Sequence, residues 1–293
     1  MRWSFQNYIM FKSSRKKLIA IGCSFTEHHL TSNQSPNLNF DFPRWSQHLA
    51  DMLDMECINL GKCGAGNDYI LAKTVDATLN EKNIGLVVLM WSEWQRIGFQ
   101  RNKNWNIWRH VTSRDFELRL TEGFNKFILE NQNVFHATRN TMRTFIHAEK
   151  LLKDLPYLFI QGTFNIPLYS ITELEAIDCS VGGPNETLDF YKVNDSRRMV
   201  AKEIIVSPYL NYIEKNIGDK FVGWPAMSEL GGYCIDHIFD EEDPHDKPGR
   251  WSRQRKGGAK FRMSKTDSHP NAAGHKIIAE FLYEQYKEIY NEH

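Results

Sequence analysis

The chain reads as an α/β protein, a three-layer α/β/α sandwich on a mostly parallel five-stranded sheet, and three observations predict it. Short apolar runs of strand length recur along the sequence, segments of helical period lie between them, and the first run ends in Gly followed by small polar residues. Buried parallel strands that deliver functional loops read in this way. Strands alternating with helices of this length imply right-handed βαβ units, with helices covering both faces of the sheet.

The first run is Lys17 to Gly22 (KLIAIG), and similar ones stand at Glu56 to Leu60, Ile84 to Trp91, Tyr157 to Gly162 and Lys220 to Trp224. Helical period is carried by Pro43 to Leu53, Asp68 to Asn80, Phe127 to Leu155, Ser196 to Lys215 and the closing Pro270 to Tyr290. Two segments fit no element. Phe99 to Phe124 is polar with Trp105 and Trp108 in it, and Ala226 to Met263 passes through Gly231-Gly232, an acidic stretch at 240–243 and a basic one at 250–262. Loops of that length in a compact domain are lids, binding loops or insertions. The expected organisation is one domain over 1–293 with insertions near 99–124 and 226–263.

Composition narrows the function classes. Thirty-six acidic and thirty-six basic side chains give zero formal charge, which points to no nucleic-acid or acidic partner. No apolar run approaches the ~18 residues a membrane span needs, and the opening MRWSFQNYIMFKSSRKK is too polar to supply a signal-peptide core. The expectation is a cytoplasmic protein without a membrane partner. The five cysteines (Cys23, Cys57, Cys63, Cys179, Cys234) are odd in number and form no CxxC pair, so reduced thiols are expected and no metal site.

In parallel sheets, functional residues gather on loops at the carboxyl ends of the strands. Three blocks stand there. Gly22-Cys23-Ser24-Phe25-Thr26 follows the first strand directly. A Ser at such a turn gains exposure near backbone N–H groups able to hold an oxyanion, although a helix-capping serine gives the same sequence. Thr266-Asp267-Ser268-His269-Pro270-Asn271 opens the last helix and places a base and a carboxylate on one short loop, the second half of a nucleophile–base–acid relay. Asp267 or Asn271 would also serve as the helix cap there, and the two roles are compatible. Asn59-Leu60-Gly61-Lys62-Cys63-Gly64-Ala65-Gly66-Asn67 follows the second strand, and its glycines permit close backbone approach with N–H groups left to donate. Its glycine spacing is not that of a dinucleotide-binding loop.

Together these blocks resemble the SGNH (GDSL-like) hydrolase family, in which a serine block follows strand one, a glycine block strand two, an asparagine block strand three, and an Asp/His block precedes the last helix. The order and strand context match over most of the chain. The resemblance implies a flavodoxin-like SGNH fold and a serine-dependent ester hydrolase needing no cofactor. Ser24 would be the nucleophile, His269 the general base, and the N–H groups of Ser24 and Gly64 the oxyanion hole. An ester of a small molecule or glycan would be the substrate, with O-deacetylation of a carbohydrate the leading activity. An O-acyltransferase on a glycan and a non-catalytic binding module are the alternatives.

The chain departs from the family's pattern twice. After the third strand it reads Met90-Trp91-Ser92-Glu93-Trp94-Gln95-Arg96, with no Asn, so Ser92, Gln95, Arg96 or Asn67 are candidates for the missing oxyanion donor. Asp267 also stands two residues before His269 where the family has three. Asp267 is the first choice for the triad acid, with Asp236, Asp240 and Asp246 as alternatives. Trp91 and Arg96 are candidate substrate-binding residues, with Trp94, Trp105 and Trp108 as further aromatic platforms. Packing is the competing role of the tryptophans. The basic residues from Arg250 to Arg262 would either grip an anionic substrate or pair with the acidic residues before them. Cys23 is read as a small buried thiol beside the nucleophile. His275 is read as structural, and His237 and His245 as surface loop residues.

Overall fold

The computed structural model describes residues 15–28, 40–94, 96–101, 104–108, 134–162, 199–227, 230–242, 260–264, 267 and 269–290. Its sheet is built from β1 (Lys17–Ile21), β2 (Glu56–Asn59), β3 (Ile84–Trp91), β6 (Tyr157–Gln161) and β7 (Phe221–Val222). A separate hairpin is formed by β4 (Ile97–Arg101) and β5 (Asn104–Trp108). The five sheet strands are ordered β2-β1-β3-β6-β7, and every pairing is parallel. The chain leaves β1 for one edge and then crosses to the other side of β1 with β3. This reversal opens a crevice beyond the carboxyl ends of β1 and β3, where open α/β sheets bind ligands.

The helices are α1 (Trp45–Met52), α2 (Asn67–Asn80), α3 (Val134–Leu152), α4 (199–206), α5 (Tyr209–Asn216), α6 (Ile235–Glu242) and α7 (Ala272–Tyr290). They fall into two packed groups, α1 with α7 and α2 with α3, with α5 joining α3. Seven consecutive residues of β3, Gly85 to Trp91, are buried, and so are Leu18 to Ile21 of β1. Side chains alternate between faces along a strand, so unbroken burial means that both faces are covered. This is the expected sandwich, with the aliphatic residues of β1 and β3 at its centre.

Four expectations are corrected. Within the helical segment predicted from Ser196 to Lys215, of which residues 196–198 lie outside the described residues, there are two helices, because Pro208 lacks an N–H and disfavours helical backbone at Ser207; the Tyr209 N–H turns to the Ser207 hydroxyl at 3.2 Å. The last strand shrinks to Phe221–Val222 behind a 3-10 turn at Gly218–Lys220. The segment from Phe99, read as structureless, enters the hairpin, whose Trp105 stands edge-on to Tyr69 with centroids 5.4 Å apart. The hairpin is tied to the start of α2 by the Gly98 N–H donating to Asp68 at 3.1 Å. The second such segment contains α6, whose Ile235, Ile238 and Phe239 recur at helical spacing and are buried. Residues 127–133 of the predicted third helix lie outside the described residues.

Candidate active site

The turn after β1 is a single turn of helix. The N–H groups of Thr26 and Glu27 both donate to the Cys23 carbonyl, at 2.9 and 3.1 Å. A helical turn leaves its first N–H groups without internal acceptors, and among the described residues those of Ser24 and Phe25 have none. Cys23 and Phe25 are buried and anchor the turn in the core, while Ser24 keeps 8% of its surface. A side chain at Gly22 would collide with Thr26, so only glycine lets the strand enter this turn.

The glycine block lies directly on the serine turn. The Lys62 N–H donates to the Gly22 carbonyl at 3.0 Å, and a Cβ at Gly61 would come within 2.6 Å of the Glu27 nitrogen. Asn59 locks this approach: its amide donates to the Thr26 carbonyl and to Ser46 Oγ, and its Oδ1 receives the Gly61 N–H at 2.9 Å. Gly64 has φ 74°, a conformation that favours glycine. Its N–H has no acceptor among the described residues.

The third loop comes from the other end of the chain. His269 Nε2 stands 2.9 Å from Ser24 Oγ, across 245 residues of sequence. His269 Nδ1 stands 2.6 Å from Asp267 Oδ1, and the same oxygen accepts the His269 backbone N–H at 3.1 Å. Asp267 is fully buried, and its own N–H donates to Ser264 Oγ at 3.0 Å. The His269 ring also packs against Phe25, centroids 5.5 Å apart. Asn271 braces the loop by donating to the carbonyls of Lys260 and Arg262 and accepting the Gly274 N–H at 3.0 Å, so it is the residue that caps α7. Gly274 has no room for a side chain against the Phe261 carbonyl. A hydroxyl, an imidazole and a buried carboxylate in this sequence of contacts can pass a proton from the hydroxyl to the imidazole while the carboxylate holds the ring tautomer.

The loop after β3 differs from expectation. Trp91 is not a substrate platform: it is fully buried and packs on Phe145 and Phe159, with centroids 4.8 and 5.2 Å away, because it ends a strand covered on both faces. Ser92 is fully buried too, and its Oγ accepts from Arg96 Nη1 at 2.9 Å, which removes it as a donor within reach of a substrate. Asn67 spends its amide on the Ser92 backbone, accepting the Ser92 N–H at 2.9 Å and donating to the Ser92 carbonyl at 3.4 Å. Arg96 forms a two-point contact with Glu93, Nη2 to Oε1 at 2.7 Å and Nε to Oε2 at 3.2 Å. Burial disfavours the Arg96 charge, and Glu93 together with the nearby Cys23 and Cys63 more than offsets that, leaving the guanidinium above its ordinary pKa.

Arg96 also lines a polar cavity of about 210 Å³ with Asp68, Trp94, His136 and Asn140 among its walls. Burial raises the Asp68 carboxyl there, against the opposing Gly98 N–H. Trp94 is buried and donates to Gln161 at 3.0 Å, and Trp105 is half-buried against Tyr69.

Trp108 ends β5, and Asp236 and Asp240 fall on α6. Gln95, His245, Asp246 and Arg250 to Lys256 lie outside the described residues. His237 is not a surface loop residue: it is half-buried on α6 with Nδ1 3.2 Å from Cys234 Sγ. His275 is buried, receives the Trp45 N–H on Nδ1 at 3.2 Å, and is held well below its ordinary pKa by burial and by Arg44.

None of the four described cysteines forms a disulfide, and among the described residues no group of three His, Cys, Asp or Glu is placed to hold a metal ion. No described helix is long and apolar enough to cross a membrane. Sequence reasoning did not foresee Glu93 as the partner of Arg96, nor Gln161, whose amide donates to the Trp91 and Ser92 carbonyls at 3.2 and 3.0 Å. Nor did it foresee Arg44, which is buried and donates to the Glu27 and His28 carbonyls behind the serine turn.

No family model and no curated protein matches the chain. Among solved structures it is similar to a member of the lipolytic protein G-D-S-L family from Veillonella parvula, at 12% identity over 95% of this chain and 100% of that one, with a TM-score of 0.39. It is similar to a carbohydrate acetylesterase family member from Sinorhizobium meliloti at 11% identity over 94% and 99% of the two chains, with a TM-score of 0.43. An alpha/beta hydrolase enzyme from the metagenome of Lake Arreo, Spain, is 15% identical over 93% and 95%, with a TM-score of 0.40.

Proposed function

We propose that the protein is a serine-dependent ester hydrolase of the SGNH (GDSL-like) kind. The observation that carries the reading is the contact chain from Ser24 Oγ through His269 to the buried Asp267. In this reading His269 Nε2 takes the hydroxyl proton as Ser24 Oγ attacks the ester carbonyl. The N–H groups of Ser24 and Gly64 receive the oxyanion, and the imidazolium returns its proton to the leaving alcohol. Water, deprotonated by the same His269, then attacks the acyl-enzyme, and collapse releases the acid and restores the serine. Each step uses the chain's own residues. Cys23 does not fit the nucleophile's role, because only 1% of its surface is exposed and it packs in the core.

A short acyl group on a carbohydrate is the proposed substrate, supported by the sequence resemblance to a family containing many such esterases. The test is acetate release from p-nitrophenyl acetate and from an O-acetylated oligosaccharide by the wild type beside Ser24→Ala. Release from both substrates, lost in the variant, is the expected result. Release from the aryl ester alone removes the carbohydrate assignment. Equal rates for wild type and variant on both remove the serine hydrolase reading.

A further inference from the structure

We infer that Arg96, oriented by Glu93, is a positioning residue that fixes the Gly64 N–H for the oxyanion by tying the glycine loop to the end of β3; the inference rests on the esterase reading. The tie is made at several points. Arg96 Nη1 donates to Ser92 Oγ at 2.9 Å and, in a longer contact, to the Ala65 carbonyl at 3.4 Å. Ala65 is the residue after Gly64, so this carbonyl belongs to the short stretch that sets the direction of the Gly64 peptide. At Gly66 the loop lies so close to the Arg96 backbone that an added Cβ would stand 3.1 Å from the Arg96 carbonyl oxygen. Asn67 closes the arrangement with its two bonds to the Ser92 backbone.

The turn that holds φ 74° at Gly64 is closed by the Ala65 N–H on the Lys62 carbonyl at 3.0 Å, which sets the Gly64 peptide within the turn and leaves the turn's place relative to the end of β3 to contacts outside it. Donors assist a reaction electrostatically only when they are already oriented before charge develops. The Arg96 bonds hold that turn in place against the end of β3. Glu93 occupies the Nε and Nη2 side of the guanidinium, which turns the Nη1 side toward Ser92 and Ala65. A fork held along one side and donating along another is something Arg provides and Lys, with one ammonium centre, does not. The positive group also lies within electrostatic range of Cys23 and Cys63, the neighbours of Ser24 and Gly64 in sequence. The buried Ser92, which cannot reach a substrate, thereby has a role as the anchor just beyond β3.

The test measures kcat and KM on p-nitrophenyl acetate, per active site by burst titration, for the wild type, Arg96→Lys, Arg96→Met and the double variant Arg96→Met/Glu93→Leu. The double variant removes both charges of the Arg96–Glu93 pair together rather than stranding one of them. A loss of about 10²–10³ in kcat, the scale of one misplaced oxyanion donor, with KM within about twofold, is the expected result for Arg96→Met and the double variant. Arg96→Lys should retain the charge and still lose most of that rate. A purely structural residue would lower the number of active sites and leave kcat per site unchanged, and that result overturns the inference. So does a folded double variant with wild-type kcat. A wild type without esterase activity instead removes the reading on which the inference stands.

Discussion

Replacing Asp267 by Asn tests the member of the site whose spacing from His269 departs from that of the resembling family. Asp267 Oδ1 accepts two hydrogen bonds from His269, one from the backbone N–H at 3.1 Å and one from Nδ1 at 2.6 Å. The backbone N–H is a donor in every state, so an asparagine at this position is pressed to keep its carbonyl oxygen there. The ring tautomer is then preserved and the main loss is the carboxylate charge facing the imidazolium. Two unit charges with centres ~4 Å apart at an effective dielectric near 20 attract by about 4 kcal/mol, or about 10³ in rate. If the amide instead turns its NH₂ toward Nδ1, the ring proton moves to Nε2, which can no longer accept from Ser24, and the loss grows to about 10⁴. The assay is kcat on p-nitrophenyl acetate at pH 7, with a thermal melt to establish folding. A folded Asp267→Asn within tenfold of the wild type would refute the assignment and return Asp236, Asp240 and Asp246 to consideration.

Three further results are expected. His275 is buried and held below its ordinary value of 6.5, so the unfolded chain binds its proton first as pH falls. The stability it contributes is complete above pH 6.5 and declines below it, and His275→Asn, which keeps an acceptor for the Trp45 N–H, should flatten the fall in Tm with pH in that range. Gly61→Ala should push the glycine loop off the serine turn at a cost of about 1–3 kcal/mol in urea unfolding, with loss of activity; an unchanged midpoint would contradict the close approach. Trp91→Phe should lower stability and leave KM for every ester within about twofold, whereas a change in ester preference would restore Trp91 to the substrate site.

The parts of the fold legible in sequence were those decided by local pattern. LIAI and IGLVVLMW are apolar throughout because both sheet faces are covered there, and the strands that carry them were read within a residue of their observed ends. The serine, glycine and histidine blocks were legible because each follows or precedes such an element. The β4–β5 hairpin was missed because polar residues interrupt both of its strands, at Gln100, Arg101, Asn104 and Asn106, and its partner is the neighbouring strand. The third loop was misread for a different reason. Sequence shows that Asn is absent after Trp91, but that Ser92 is held by Asn67 and Arg96 reaches back to Ala65 depends on contacts between residues 25 and 31 positions apart. No spacing rule carries that information.

The central claim, that Ser24 is the nucleophile activated by His269, is tested most directly by reaction with a p-nitrophenyl alkylphosphonate followed by peptide mass mapping. One adduct per chain on Ser24, formed by the wild type and at least about 10³-fold more slowly by His269→Ala, is the expected result. An adduct on Cys23, or on Ser24 at a rate indifferent to His269, would contradict the account.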